Sequence, residues 1–233
     1  VTAIIAGYQR RITAGFGTPF DREIGDVVWR NLRDLPLLWT GSIGTSKLGW
    51  LDTAMPVVVS ACTIPVVVVL LIAGLRRVDR RKGVALAMLG AVLIAYPMYF
   101  LTVSRSLVGE NFQARYLLPI LPVFIAVALL ATKSGKPTFV ARPFLVLMGA
   151  ALSVAHSFAL HAQLRRYITG TDITGFDLDK RVEWWWRDGP RPMAVWWAGT
   201  IAFAVAVVVI GQGWLWREPA APALPPPRPE EVR

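Results

Sequence analysis

Thiols and imidazoles are scarce in this chain of 233 residues, and their scarcity excludes several kinds of site. The one cysteine, Cys62, lies inside an apolar run, so it forms no disulfide within the chain and indicates no redox compartment. The two histidines, His156 and His161, are five residues apart, which directs their imidazoles to diverging faces of a helix. We therefore predict no metal site, and we expect His156 to form a hydrogen bond to a neighbouring helix.

A nucleotide-binding phosphate loop is also lacking. The glycine-rich stretch 41–49 places Ser46 before Lys47 and Leu48 after it, whereas such a loop needs a Gly-Lys pair followed directly by Ser or Thr. We interpret this stretch as a flexible turn that leads to the membrane surface, with Trp50 as an interfacial anchor.

Charged side chains are few as well. They make up 17% of the residues, whereas 55% are hydrophobic, and the mean hydropathy is +0.49. Because the apolar residues lie in long runs, the lipid bilayer is the expected partner of this chain. The net charge of +10 comes from basic residues between these runs that form no continuous stripe, so a nucleic-acid partner is not expected.

The apolar runs predict an all-α, multi-pass transmembrane helical bundle. A bilayer core about 30 Å thick needs roughly 20 apolar residues in a helix. The five predicted spans are residues 54–75, 83–101, 116–131, 143–159 and 194–214, which form a transmembrane domain at 54–216. The third and fourth runs are short, so these helices must tilt little, begin before the apolar run or cross a locally thinned bilayer.

Basic residues near the span ends predict the orientation, because they resist translocation. Loop 76–82 carries five of them and the loop after the third span carries three, so both are predicted to be cytoplasmic. The loop between the second and third spans carries only Arg105 and Arg115 and is predicted to be extracytoplasmic. The same reasoning places the N-terminal segment outside the plasma membrane and the disordered, proline-rich tail, residues 217–233, in the cytoplasm.

The segment before the first span, residues 1–53, is predicted to contain an amphipathic helix. Thr18 can cap this helix, with Pro19 in its first turn. Apolar residues recur at helical spacing at Phe20, Ile24, Val27, Val28, Leu32 and Leu35. The helix lies on the outer membrane surface, packs on the spans, or is an ordinary structural helix of an extracytoplasmic segment. Because the chain starts at Val1 and no signal-peptide pattern follows, we expect a further part upstream.

The polar residues before the third span give the strongest local indication of function. Gln113 and Arg115 stand at the predicted outer mouth of that span, where a guanidinium is a directional partner for phosphate or carboxylate. Tyr116 adds an interfacial hydroxyl. The alternative is that Arg115 extends to the lipid headgroups or pairs with Glu110 and has no further role.

The predicted outer loop before the fifth span contains three successive tryptophans, Trp184, Trp185 and Trp186, between Glu183 and Arg187. These rings are typical of an interfacial aromatic belt. Tryptophans beside carboxylates also form surfaces on which sugars stack, and the pattern alone leaves both interpretations open.

Two stretches resemble a known family. They are Gly49-Trp50-Leu51-Asp52 with Pro56 shortly after, and Gln113-Ala114-Arg115-Tyr116-Leu117-Leu118-Pro119. Together they resemble the C-terminal half of the bacterial predicted membrane proteins called domain of unknown function 2142, over roughly residues 20 to 215.

That family is grouped by architecture with the GT-C glycosyltransferases, so the resemblance implies a GT-C-like fold. It also implies transfer of a sugar from a polyprenyl-phosphate carrier to a cell-envelope acceptor at the extracytoplasmic face. In such enzymes the catalytic acid lies in the first outer loop, upstream of the similar stretches, so no catalytic residue is assigned and the cofactors stay unassigned. The candidate substrate-binding residues are Gln113, Arg115 and Tyr116, with Arg105 and Glu110 of the same loop.

Two other functions compete with this hypothesis. An envelope lipid or polysaccharide transporter subunit would carry charged residues deep inside its spans, whereas His156 is the ionisable residue well inside a predicted span. A non-catalytic membrane scaffold would tolerate the loss of Arg115.

Overall fold

The computed structural model describes residues 21–45, 55–110, 112–130, 142–170 and 172–215. The regular structure in these ranges is entirely helical, which confirms the predicted all-α architecture. The six α-helices described are α1 Ile24–Thr40, α2 Val57–Leu75, α3 Arg80–Val103, α4 Leu121–Leu129, α5 Arg142–Thr169 and α6 Pro192–Leu215. A wide turn, Gly41–Thr45, follows α1, and a 3₁₀-helix, Ala114–Leu117, precedes α4.

Four helices are long and apolar enough to cross a membrane, which confirms the multi-pass prediction. They are α2, α3, α5 and the stretch Pro192–Gln212 of α6. Helix α5 contains the predicted fourth span, 143–159, and continues to Thr169 because the residues that follow include good helix formers such as Ala162 and Leu164. The apolar run therefore understates the length of this helix, which has 28 residues.

The predicted third span, 116–131, is not one continuous helix among the described residues. The 3₁₀-helix is followed by a three-residue turn that contains Pro119, and α4 then adds nine residues. Pro122 lies in the first turn of α4, where a missing amide proton costs little. Among the described residues, the apolar segment Ala114–Leu129 is shorter than the four long helices.

Helix α1 is the predicted amphipathic helix, although the predicted cap at Thr18 lies outside the described residues. It packs against α3 and the 3₁₀-helix through a buried stripe formed by Val27, Asn31, Leu35 and Leu38. Ile24, Val28 and Leu32 form a second apolar stripe beside it and are exposed. The helix thus packs on the bundle and also presents apolar side chains outward.

One end of the bundle is closed by a lysine, and we call it the Lys82 end. The buried Lys82 Nζ donates to the carbonyl oxygens of Gly74 at 2.7 Å, Arg77 at 3.0 Å and Leu130 at 3.1 Å. These carbonyls lie in or directly after the last turns of α2 and α4, where backbone acceptors lack helical partners. Lys82 therefore joins the end of α2, the start of α3 and the end of α4.

At the opposite end of α3, the loop residues 104–110 and 112–113 pack under α1, and we call this the Glu110 end. Its core contains Leu101, Phe112 and Leu117, all at most 1% exposed. The Phe112 ring contacts the rings of Tyr96 and Tyr116 with centroid distances of 5.4 and 5.5 Å. These contacts fix the 3₁₀-helix against α3.

Helices α5 and α6 form a second cluster whose buried residues are Ile168, Leu178 and Trp196. Arg165 holds the connecting loop by donating to the carbonyls of Gly175 and, at 2.9 Å, Asp177. Helix α2 contacts both α4 and α5, so it joins this cluster to the rest of the bundle.

Candidate functional site

Helix α3 ends in a backbone motif that fixes the start of the loop at the Glu110 end. The amide of Ser106 donates to the carbonyl of Leu101 at 3.0 Å, and the amide of Arg105 donates to that of Thr102 at 3.1 Å. This pair of hydrogen bonds defines a Schellman motif, in which the residue at the position of Arg105 adopts a left-handed conformation and is usually glycine. Arg105 has a φ of +48°.

A buried asparagine ties this loop to α1. Asn31 is fully buried, its Nδ2 donates to the carbonyl of Ser106 at 2.8 Å, and its Oδ1 accepts from the amide of Val108 at 2.9 Å. Both polar atoms of the carboxamide are therefore used by the loop backbone. Since buried backbone groups need partners, Asn31 holds the path of the loop between Ser106 and Val108.

An ion pair closes the loop from its other side. Arg22 and Glu110 pair through two hydrogen bonds of 2.7 and 2.8 Å, and Glu110 also accepts from the amide of Leu107 at 2.9 Å. Arg22 further donates to the carbonyl of Arg105 at 3.4 Å. The hydrogen bond with Glu110 raises the pKa of the Arg22 guanidinium above its usual value.

Of the predicted site residues, Glu110 positions the loop, whereas Gln113, Arg115 and Tyr116 lie at the 3₁₀-helix. Glu110 holds the loop together through Arg22, so its carboxylate has a positioning role in this arrangement and does not face outward as a free substrate contact. Gln113 is 8% exposed and precedes the 3₁₀-helix. Arg115 and Tyr116 are exposed on that helix, with the guanidinium carbon of Arg115 5.8 Å from the centroid of the Tyr116 ring.

Arginines near α1 mostly have carboxylate partners. The pairs are Arg22 with Glu110, Arg30 with Asp26 and Arg33 with Asp34. By contrast, no described residue forms a hydrogen bond or ion pair with the side chain of Arg105, which is half-buried. The arrangement can therefore offer a guanidinium from a loop whose backbone is fixed on both sides, which is suited to binding an anion.

The residues that hold this site were not predicted from the sequence. Asn31 occupies the centre of the apolar stripe, one helical turn from Val27 and from Leu35, and a polar residue at such a position indicates a buried hydrogen bond. Arg22 carried no comparable indication, because its partner lies 88 residues away in the chain.

The second cluster contains the remaining candidate residues. Trp184 and Trp186 are exposed with their ring centroids 5.3 Å apart, and Trp185 donates to the carbonyl of Pro190 at 2.7 Å. These exposed rings fit the predicted aromatic belt and equally a stacking surface, so the two interpretations remain. The pKa of Asp177 in the same loop is held below its usual value, chiefly because its carboxylate accepts from the amide of Asp179.

The histidines contact aromatic rings. His156 stacks on Phe203 of α6 at 4.1 Å, and His161 stacks on Phe176 at 4.9 Å. His161 also has a hydrogen bond of 2.8 Å with the carbonyl of Phe176. Among the described residues, no three His, Cys, Asp or Glu side chains are grouped so that they could hold a metal ion.

A comparison with protein families gives a match to part of the chain. Residues 17–124 match the family described as Predicted membrane protein (DUF2142), so the resemblance predicted from the sequence is confirmed for this stretch. The stretch contains α1, α2, α3, the loop at the Glu110 end and the first residues of α4. Comparisons with curated proteins and with solved structures found no match.

Proposed function

We propose that this chain is part of a GT-C-like bacterial glycosyltransferase that moves a sugar from a polyprenyl-phosphate carrier to a cell-envelope acceptor. In this proposal the Glu110 end lies at the extracytoplasmic face of the plasma membrane and binds the phosphate of the donor. The observation that carries it is the exposure of Arg115 and Tyr116 on a fixed 3₁₀-helix at the start of the apolar segment Ala114–Leu129.

The position of this pair suits a lipid-linked anion. A polyprenyl chain lies among the apolar helices and presents its phosphate at the headgroup level, where a guanidinium forms charge-assisted hydrogen bonds. Arg115 is the second residue of the 3₁₀-helix with which the apolar segment Ala114–Leu129 begins, and this position supports a guanidinium at that level. Tyr116 adds a hydroxyl beside the guanidinium.

Fixed geometry also favours this function. The 3₁₀-helix is held by the ring contacts of Phe112, and the carbonyl of Ala114 accepts from the hydroxyl of Ser42 at 2.7 Å. A binding group that is already positioned loses less conformational entropy when the ligand arrives. The family match covers these elements and not α5 or α6, so the proposed site lies within the matched stretch.

The proposal assigns binding and orientation to this chain and leaves the proton transfer to an acidic group upstream. Arg115 would neutralise the charge on the leaving carrier phosphate as the bond between sugar and phosphate breaks. Gln113, which is buried at the start of the 3₁₀-helix, would support the position of Arg115.

The first test is Arg115→Ala in the full-length protein, expressed in cells at matched membrane abundance. We expect carrier-linked sugar to accumulate and one envelope glycan to fall at least roughly tenfold, since the loss of a charge-assisted contact in a transition state costs about that much or more. Lipid-linked sugars and envelope glycans are both measured by mass spectrometry.

Arg30→Ala is the matched control, because Arg30 is an exposed arginine that pairs with Asp26 on the outer face of α1. It should leave both quantities unchanged. If Arg115→Ala also leaves them unchanged, the donor-binding role is wrong and a scaffold becomes the better interpretation.

A further inference from the structure

Arg105 occupies a backbone position at which an arginine is unfavourable. Its φ of +48° is left-handed, and the Schellman motif at the end of α3 requires this conformation. Glycine adopts it without steric cost, whereas a side chain brings its Cβ close to the neighbouring carbonyl. An arginine therefore destabilises this turn relative to glycine.

The guanidinium does not offset that cost within the described part of the protein. Arg22, Arg30 and Arg33 each pair with a carboxylate, but no residue among those described forms a hydrogen bond or ion pair with the Arg105 side chain. Its backbone does form a stabilising contact, since the carbonyl of Arg105 accepts a hydrogen bond from Arg22. Any residue supplies that carbonyl, so the contact does not explain why arginine stands here.

The surrounding structure keeps Arg105 in this conformation. The amide of Ser106 is bonded back to α3, its carbonyl is held by Asn31, and Glu110 with Arg22 closes the rest of the loop. A strained residue persists when its neighbours determine its conformation, and such residues concentrate at binding sites. Here the neighbours fix the backbone, and none of the described residues bonds the side chain.

We propose that Arg105 is a phosphate-binding residue and that the strain at the end of α3 is retained because it aims this guanidinium at the ligand. The ligand class is a phosphate monoester or diester anion, which a guanidinium binds through two parallel hydrogen bonds. The proposal rests on the proposed function for the identity of the donor, a polyprenyl phosphate, and adds Arg105 as a specific contact to its phosphate.

The test compares two substitutions that relieve the same kind of strain. Arg105→Gly removes the side chain and suits the left-handed backbone. Arg181→Gly is the matched control, because Arg181 is an exposed arginine with a φ of +56° in the loop between α5 and α6. Both variants are made in the full-length protein and reconstituted in lipid nanodiscs.

Stability and binding are measured on the same samples. We expect each glycine to leave the Tm unchanged or raise it by about 2 °C, the shift that relief of a strained residue produces in a chain of this size. Binding of undecaprenyl phosphate in neutral-lipid nanodiscs should weaken at least roughly tenfold in Arg105→Gly and stay unchanged in Arg181→Gly.

Two further probes separate the possible sources of phosphate: phosphatidylglycerol in the nanodisc and inorganic phosphate in solution. Undecaprenol, which lacks the phosphate, is a third probe and reports binding of the lipid chain alone. If the wild-type protein binds phosphatidylglycerol or inorganic phosphate through Arg105 but not undecaprenyl phosphate, Arg105 keeps its role and the proposed donor is wrong. If binding of undecaprenyl phosphate survives Arg105→Gly but is lost in Arg115→Ala, the proposed function stands and the role of Arg105 is refuted.

Two other outcomes also overturn the inference. A fall in Tm for Arg105→Gly that Arg181→Gly does not share would show that the side chain stabilises the fold. Absence of wild-type binding to all phosphate probes would show that Arg105 holds no phosphate.

Discussion

Asn31 shows how a single side chain determines the shape of the loop at the Glu110 end. Its carboxamide is fully buried and supplies one donor and one acceptor to the backbone of the loop 104–113. An apolar residue at this position would still pack against α3 but would leave a carbonyl and an amide without a partner. The cost of removing Asn31 therefore comes mainly from desolvated backbone groups.

We predict that Asn31→Leu lowers the free energy of unfolding by about 2 kcal/mol, because two buried backbone groups lose their hydrogen bonds while the branched shape of the side chain is kept. The measurement is thermal or denaturant unfolding of the protein in detergent. Leu32→Ala, on the exposed side of α1, is the control and should change the free energy by less than about 0.5 kcal/mol. Equal effects of the two substitutions would refute the role of Asn31.

From the sequence, the chemically important residues of this region could be predicted better than the contacts between them. Arg115 and Tyr116 could be selected as exposed residues because a polar cluster stood directly before an apolar run. The pairing of Glu110 with Arg22 could not be predicted, since it depends on how α1 docks against α3, and local spacing carries no information on a partner so distant in sequence. Arg105 was a candidate by its charge, whereas its strain became visible only in the backbone.

At the scale of elements, the close approach of α2 and α4 near the Lys82 end depends on a glycine. A Cβ on Gly74 would lie 2.5 Å from the carbonyl oxygen of Ala128, which is backbone and cannot rotate away. Lys82 donates to the carbonyls of Gly74 and Leu130 at the ends of the same two helices. The two helices are therefore fixed both by packing and by hydrogen bonds. Small residues at helix contacts are the usual means of such approach inside membranes.

We predict that Gly74→Ala destabilises the protein by about 1–3 kcal/mol, because α2 and α4 must move apart to accommodate the methyl group. Gly211→Ala is the control: no atom of the described residues lies within 4 Å of a Cβ at this position in α6, so alanine should be neutral or stabilising. Unfolding of both variants in the same detergent gives the comparison. A neutral Gly74→Ala would mean that α4 is not held against α2.

Hydropathy predicted the bounds of some helices better than those of others. The first predicted span, 54–75, was close to the bounds of the described helix α2, Val57–Leu75, because the apolar run is bounded by Pro56 and Arg76. The third was not, because Pro119 and Pro122 divide the apolar run into a 3₁₀-helix, a turn and a short α-helix. Hydropathy counts apolar residues and does not register such a break.

At the scale of the whole molecule, the two ends of the bundle differ in chemistry. The Lys82 end gathers helix carbonyls around a buried ammonium group and adjoins the basic loop between α2 and α3. The Glu110 end carries the fixed loop, the exposed Arg115 and the two-stripe helix α1, whose exposed apolar residues suit contact with lipid headgroups and acyl chains. A donor site at the Glu110 end requires that this end face away from the cytoplasm.

Cysteine accessibility tests that orientation directly. In a Cys62→Ser background, Val78→Cys places a thiol on the loop between α2 and α3, and Glu23→Cys places one just before α1, both at exposed positions. Because basic loops stay in the cytoplasm, a membrane-impermeant maleimide added to intact cells should label Glu23→Cys and not Val78→Cys. After permeabilisation both should be labelled, which controls for reactivity.

The reverse labelling pattern would place the Glu110 end in the cytoplasm, on the opposite side of the membrane from the face at which the proposed transfer takes place. Arg115 and Arg105 would then face cytoplasmic phosphates, and the transferase proposal would be wrong even if both residues bound an anion. Labelling of both thiols in intact cells would instead show that α2 does not span the membrane. Orientation thus decides whether the anion chemistry of this end can serve envelope synthesis.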